Sequence, residues 1–298
     1  MAASESILSI RSASDDKSIS VYRWRSDVRV RGVVQIAHGM GEHPLRYRAI
    51  AEFLATNGFA VYANDHRGHG QSASDANELG EFGAGGFPAV VDDMVQVSQA
   101  ARAEAAGAPL ILLGHSMGSF AAQLYILGNS QLLDGVALSG SAALDLLGAA
   151  AATGRWKLED LNAGFEPART PFDWLSRDES EVDAYISDPL CGFNVSQGSY
   201  GSLFSVASRL ASIPDLNRIG KDLPIFLFAG DKDPVNANLA WFYPLIDRYR
   251  EAGLRDVSAH IFGGARHEVL NETNRSEVFA VLLAWVNRVV SSTRSSVA

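Results

Sequence analysis

The sequence predicts an α/β protein with a mostly parallel sheet and helices on both faces. Two observations carry this. Short apolar runs such as GVVQIA (Gly32–Ala37) and LILL (Leu110–Leu113) read as buried strands. They alternate with longer segments whose apolar residues recur at helical spacing. A third observation adds a feature: the rhythm stops near Leu144 and resumes at Pro224, so a helical insertion interrupts the α/β pattern.

Each element has a local reason. Ser6–Ile10 and Ile19–Arg25 are strand-like, the second through Ile19, Val21 and Trp24, and Gly32–Ala37 follows as a third strand. In PLRYRAIAEFLATNG, Pro44 suits a first helical turn, Ile50, Phe53 and Leu54 share a face, and Gly58 suits the end. Phe59–Ala63 is the fourth strand. Ala89–Ala106 is helical, with Val90, Met94, Val97 and Ala101 on one side. Leu110–Leu113 is a strand, Phe120–Leu127 a helix and Gly135–Ser139 the sixth strand. After the insertion come a strand at Pro224–Ala229, a helix near Ala237–Ala252, a strand at Val257–Phe262 and a helix at Glu277–Val290. The expected organisation is a core of residues 1–145 and 223–298, with residues 146–222 as a helical cap that is not an independent domain.

Composition narrows the function. The chain has 298 residues, 47% of them hydrophobic and 20% charged, as in an ordinary globular protein. A net charge of −9 disfavours binding to nucleic acid, which needs a basic face. A single cysteine, Cys191, forms no intrachain disulfide. No signal peptide and no transmembrane run are visible, so a cytoplasmic location is expected.

The chemistry is concentrated after the LILL strand. Gly114-His115-Ser116-Met117-Gly118 is a G-x-S-x-G turn between a strand and an apolar helix, the context of a nucleophile elbow. The turn is tight enough that side chains two residues to either side would collide with neighbouring elements. It would hold Ser116 Oγ up at the carboxyl end of the sheet, with a helix N-terminus behind it. A serine nucleophile needs a base and an orienting carboxylate, here in the chain order Ser, acid, His. Beyond the insertion lie His260 and His267. His260 falls inside a strand, and His267 follows the loop Gly263-Gly264-Ala265-Arg266, so His267 is favoured. The acid is sought in Gly230-Asp231-Lys232-Asp233-Pro234. Asp233, further out in the loop, is favoured over Asp231, which follows the strand directly and suits a turn; Asp145 is a third option. Acyl transfer also needs two donors to a tetrahedral oxygen. The backbone N–H of Met117 and that of Met40, in His38-Gly39-Met40-Gly41, fit this need.

Together these residues resemble the α/β-hydrolase superfamily and, within it, the monoacylglycerol lipase, lysophospholipase and serine aminopeptidase S33-like group. His38-Gly39-Met40-Gly41-Glu42-His43 with Arg46-Tyr47 is similar to that group's HGxGEHxxRY, and Asp65–Ser72 to its DHRGHGxS. GHSMG is its elbow, Gly230–Asp233 its GxxD and Gly264–His267 its GxxH. The resemblance implies an α/β-hydrolase fold with a helical cap after strand six, a Ser116, Asp233, His267 triad, and Met40 and Met117 as oxyanion donors. Trp174–Asp178 and Asp188–Phe193 look like a bacterial branch of the group. Proline iminopeptidases usually carry GGSWG, which argues against an aminopeptidase.

Other clusters read as structural. His38, His43, His66 and His69 could suggest a metal site, but Gly68 and Gly70 make a loop rather than a ligand-bearing helix. No metal and no cofactor is expected. Asp65 and Arg67 suit loop hydrogen bonds, Glu42 and Arg46 a pair at the helix start, and Cys191 packing. In the insertion, Trp156, Phe165, Phe172, Trp174, Phe193 and Phe204 are candidates to line an acyl pocket, or else to pack on themselves. The expected activity is hydrolysis of medium- or long-chain acyl esters through an acyl-enzyme. A perhydrolase or C–C hydrolase with the same triad is an alternative, as is a ligand-binding protein with little turnover. The expected partners are a small-molecule or lipid ester and, transiently, lipid aggregates or a membrane surface.

Overall fold

The computed structural model describes residues 3–25 and 27–295 of the chain, without the side chains of 294 and 295. Eight strands form one sheet: β1 (Ser4–Arg11), β2 (Ser18–Arg25), β3 (Gly32–Ala37), β4 (Phe59–Asn64), β5 (Leu110–His115), β6 (Gly135–Ser139), β7 (Ile225–Gly230) and β8 (Val257–Phe262). The order across the sheet is β1-β2-β4-β3-β5-β6-β7-β8. β2 pairs antiparallel with β1 and β4, and every other pairing is parallel.

Side-chain alternation explains why this sheet is covered twice. Val33, Leu110, Leu112, Val136 and Leu138 point into one apolar cluster, shared with α2 (Gly86–Glu104), α3 (Met117–Asn129) and α9 (Phe242–Glu251). Their neighbours Val34, Ile111, Leu113 and Ala137 point into a second, shared with α1 (Arg48–Thr56) and α10 (Arg275–Ser295). Period-two strands thus supply both faces of a buried sheet.

Between β6 and β7 there is no strand among the described residues. The segment holds α4 (Leu144–Ala152), α5 (Glu179–Ser187), α6 (Gln197–Ser205), α7 (Ala207–Leu210) and α8 (Ile213–Leu216). Leu147, Leu203, Val206 and Leu210 join the first cluster, so this segment packs continuously with the body of the protein.

The buried, helically spaced Leu203, Val206, Ala207 and Leu210 are divided at Val206 between α6 and α7. One expected helix differs. The helix expected from Ala237 begins at Phe242, because Ala237, Asn238 and Leu239 have φ of 54°, 51° and 78°. Asn236 holds that left-handed run: its Oδ1 accepts from Leu239 N–H at 2.7 Å and its carbonyl from Trp241 N–H at 3.0 Å.

Candidate active site

β5 delivers Ser116 into a turn before α3. Its φ of 51° and ψ of −121° are a conformation that side-chain-bearing residues rarely adopt. The flanking glycines make the turn possible. A Cβ on Gly118 would lie 2.1 Å from the Ala37 carbonyl oxygen, and one on Gly114 2.5 Å from that of Gly118. Ser116 N–H donates to Ser139 O at 3.0 Å, which ties the elbow to β6.

The loops after β7 and β8 bring the other two groups together. Asp233 Oδ1 lies 2.9 Å from His267 Nδ1, with Asp233 fully buried and His267 nearly so. Val235 N–H donates to the same oxygen at 2.9 Å, and Asn236 Nδ2 to Oδ2 at 3.1 Å. The carboxylate is therefore held from three sides. His267 is oriented from the insertion as well: its N–H donates to Trp174 O, and the Trp174 ring lies 5.2 Å from the imidazole. Burial pushes the His267 pKa down, but the Asp233 charge and hydrogen bond, with Glu268 and Glu42 nearby, lift it above its ordinary value. No hydrogen bond joins Ser116 Oγ to the imidazole among the described residues, although both line one cavity.

The competing candidates lie elsewhere. Asp231 Oδ1 accepts from Gly264 N–H at 2.8 Å and so shapes the base loop. Asp145 makes a two-pronged pair with Arg248 of α9. His260 sits in β8 against Phe262.

The loop after β3 runs past Ser116, and a Cβ on Gly39 would be 3.3 Å from the serine Cβ. Gly39 N–H donates to Glu42 Oε1 at 2.5 Å, and Gly41 N–H to His69 Nε2 at 3.2 Å. Between them Met40 N–H has no hydrogen-bond partner among the described residues, and neither has Met117 N–H at the start of α3. The buried histidines are the frame of this loop. His38 Nδ1 pairs with Gly39 O at 2.7 Å while its Nε2 accepts from His66 N–H; His69 Nδ1 pairs with Arg67 O. Those bonds need neutral rings with the proton on Nδ1. Burial keeps both rings neutral, holding His38 well below its ordinary value and pushing His69 down to about 4. Nitrogens of His38 and His69 are thus spent on backbone, while His43 turns to Asp188 instead, at 2.9 Å. Arg67 is pinned between Asp93 and Asp15, as a loop anchor.

A cavity of about 490 Å³ joins these groups. Trp156, Phe172, Trp174, Phe193 and Phe204 line it, with Met40 and Met117. Phe165 does not. It packs under the Arg266 guanidinium, 4.4 Å from ring centre to carbon, because Arg266 is drawn onto the insertion by the Asp173 and Ser176 carbonyls. The wall also carries a polar group that the sequence reading treated as a helix-start pair. Glu42 is 3% exposed and accepts from the Tyr47 hydroxyl at 2.5 Å, and its Oε2 has no hydrogen bond among the described residues. Burial, with the Glu268 charge beside it, lifts its pKa to about 7. Arg46 reaches Glu268 by a short hydrogen bond and lies 3.7 Å from Glu42. Asn236, the Trp174 main chain and Glu268 drew no attention in the sequence; only the unusual WLSRD run hinted at the second. A more open cleft of about 640 Å³, lined by Arg25, Arg29 and Glu104, contains none of the candidate groups.

The model of the serine aminopeptidase S33 (Hydrolase_4) family matches residues 28–274. The chain belongs to this family. It is 30% identical over 273 residues to the monoacylglycerol lipase of Mycolicibacterium smegmatis, covering 88% of this chain and 90% of that one. The human monoglyceride lipase is 28% identical over 280 residues, with 89% and 85% covered. A thermostable carboxyl esterase from Bacillus coagulans, crystallised with glycerol, superposes with a TM-score of 0.85 at 25% identity, covering 96% of this chain and 99% of that one. This member of the family has the α/β-hydrolase fold and is a carboxylic ester hydrolase. No helix among the described residues is long and apolar enough to cross a membrane.

Proposed function

We propose that the protein hydrolyses monoacylglycerol-type esters through Ser116, His267 and Asp233. The observation that carries this is one cavity lined by a serine on a left-handed elbow, by His267 with the buried Asp233 behind it, and by Met40 and Met117, whose backbone N–H groups have no partner among the described residues. Ser116 Oγ attacks the ester carbonyl as His267 Nε2 takes its proton. The carbonyl oxygen becomes an oxyanion between Met40 and Met117 N–H. Collapse expels the alcohol, which receives the proton from His267 and leaves Ser116 acylated. Water, deprotonated by His267, then attacks the acyl-enzyme and releases the acid.

The walls suggest the substrate class. Aromatic side chains from residues 146–222, which we propose act as a cap, suit an acyl chain. Glu42 and Glu268, both among the lining residues, make a polar, acidic stretch of wall that suits an uncharged polyol. A lysophospholipid phosphate would instead meet Glu42 and Glu268, with Arg46 already engaged by both. Exposed Leu158 and Ile186, on the same segment, are proposed to touch lipid aggregates. A chain-length series of p-nitrophenyl esters, run beside monoacylglycerol and lysophosphatidylcholine, tests the reading. Each methylene accommodated contributes about 0.8 kcal/mol, about fourfold in kcat/KM, until the cavity is filled. Preference for lysophosphatidylcholine, or no gain with chain length, overturns the substrate class.

A further inference from the structure

Outside this cavity, three side chains from two distant segments meet where the loop after β3 touches the insertion. His43, Asp188 and Cys191 place one nitrogen, one oxygen and one sulfur all within 4.8 Å of one another. His43 is 5% exposed, and its Nε2 lies 2.9 Å from Asp188 Oδ2. The turn that follows Asp188 is built to present two of the three together. Leu190 N–H donates to Asp188 Oδ1 at 2.9 Å and Cys191 N–H to the Asp188 carbonyl at 3.0 Å. Oδ2 is thereby left to face the histidine, with the thiol on the same side of the turn. Gly192 N–H donates to Gly41 O at 2.9 Å, locking this turn onto the loop that carries His43.

We propose that His43, Asp188 and Cys191 form a site for a thiophilic divalent cation of the zinc class. Imidazole, carboxylate and thiolate are the ligand types such a cation takes, at about 2.0–2.3 Å, which sets tetrahedral ligand atoms about 3.5 Å apart. The His43–Asp188 pair, 2.9 Å apart, opens slightly to reach that value, and the sulfur lies within 4.8 Å of both partners. On binding, the neutral His43 ring carries its proton on Nδ1 so that Nε2 is free to ligate, the thiol proton leaves to solvent, and a water completes the fourth position. A thiol excludes magnesium and calcium as the preferred ions. The site would staple the Glu42–His43 loop to the turn before Gly192 and Phe193, both of which line the cavity. It lies apart from Ser116, Asp233 and His267, so ester turnover does not require it.

Cobalt(II) is the probe, because its spectrum reports thiolate ligation and tetrahedral geometry. Cys191 is the single cysteine of the sequence, so any cobalt–thiolate charge-transfer band belongs to it. The full-length protein should show that band with intense visible d–d absorption at one equivalent. Zinc at a hundredfold excess over its dissociation constant should raise the melting temperature by about 4 °C. Asp188→Asn and Cys191→Ser should each lose the zinc-induced shift while retaining basal ester turnover. Absence of a charge-transfer band in the wild-type protein, or a zinc shift that persists in both variants, overturns the site.

Discussion

At the scale of single residues, the groups differ in what each removal should cost. Ser116→Ala should leave the fold intact, since the alanine needs no more room, and lower kcat by several powers of ten, about 10⁶ in a well-studied serine protease. Circular dichroism with ester turnover checks it; a purified variant retaining a few per cent of activity would dismiss Ser116. Asp233→Asn should cost about 10⁴ in kcat, because an amide donating to Nδ1 imposes the wrong tautomer. Asp231→Asn keeps an oxygen for Gly264 N–H and should cost far less. The reverse ranking would move the acid to Asp231. The pH profile follows from the same environment. In the proposed mechanism His267 must be neutral to accept the serine proton, so kcat/KM should fall as pH drops through its pKa. The carboxylates Asp233, Glu268 and Glu42 outweigh burial, so the acidic limb should lie above the ordinary histidine value of about 6.5. A limb well below that value would mean that another group titrates.

At the scale of elements, the β3 loop and the elbow depend on each other. Gly118 is where α3 meets the end of β3, and an alanine Cβ there would overlap the Ala37 and His38 carbonyl oxygens. Gly118→Ala should therefore destabilise by more than the ~1–3 kcal/mol typical of overpacking, measured by denaturant unfolding. Loop aim should show in kinetics instead. His69→Leu removes the acceptor of Gly41 N–H and loosens the segment carrying Met40. Because an oxyanion donor acts in the transition state, kcat should fall while KM holds, by less than the roughly 10²–10³ of deleting a donor outright. A change confined to KM would indicate that the loop only binds substrate. The insertion acts on the same chemistry through main chain: Trp174 O and Leu175 O accept from His267 and Glu268 N–H. Its role is thus broader than the apolar lining read from its aromatic residues, and Phe165, one of those, serves Arg266.

At the scale of the whole molecule, the net charge of −9 disfavours adhesion to anionic bilayers, so contact with lipid should rest on apolar side chains. Leu158 is 47% and Ile186 46% exposed, both within the insertion. Leu158→Glu with Ile186→Glu should lower turnover of micellar monoacylglycerol severalfold and leave soluble short-chain esters nearly unchanged. Equal loss on both substrates would argue for damage to the cavity, which Leu158 also borders. The continuous apolar cluster linking Leu147, Leu203 and Leu210 to α3 makes such point changes more informative than removal of the segment, which would strip one face of the core.

The alternation of strands and helices, the elbow and the loops after β3, β7 and β8 were legible in the sequence because each rests on local spacing. A period of two or 3.6, or a glycine where a Cβ has no room, is written in adjacent residues. What the tertiary structure decided lies between residues far apart. Whether burial or carboxylates prevail at His267 depended first on Asp233, 34 positions away, and then on Glu42 arriving from the loop after β3. The left-handed run after Asn236 overrode helical spacing because its hydrogen bonds serve Asp233. The meeting of His43 with Asp188, 145 positions away, has no local trace at all. Sequence pattern specifies elements through neighbours along the chain. Proton affinities and ligand sets belong to neighbours in space, and only the packing of the insertion on the sheet brings those together.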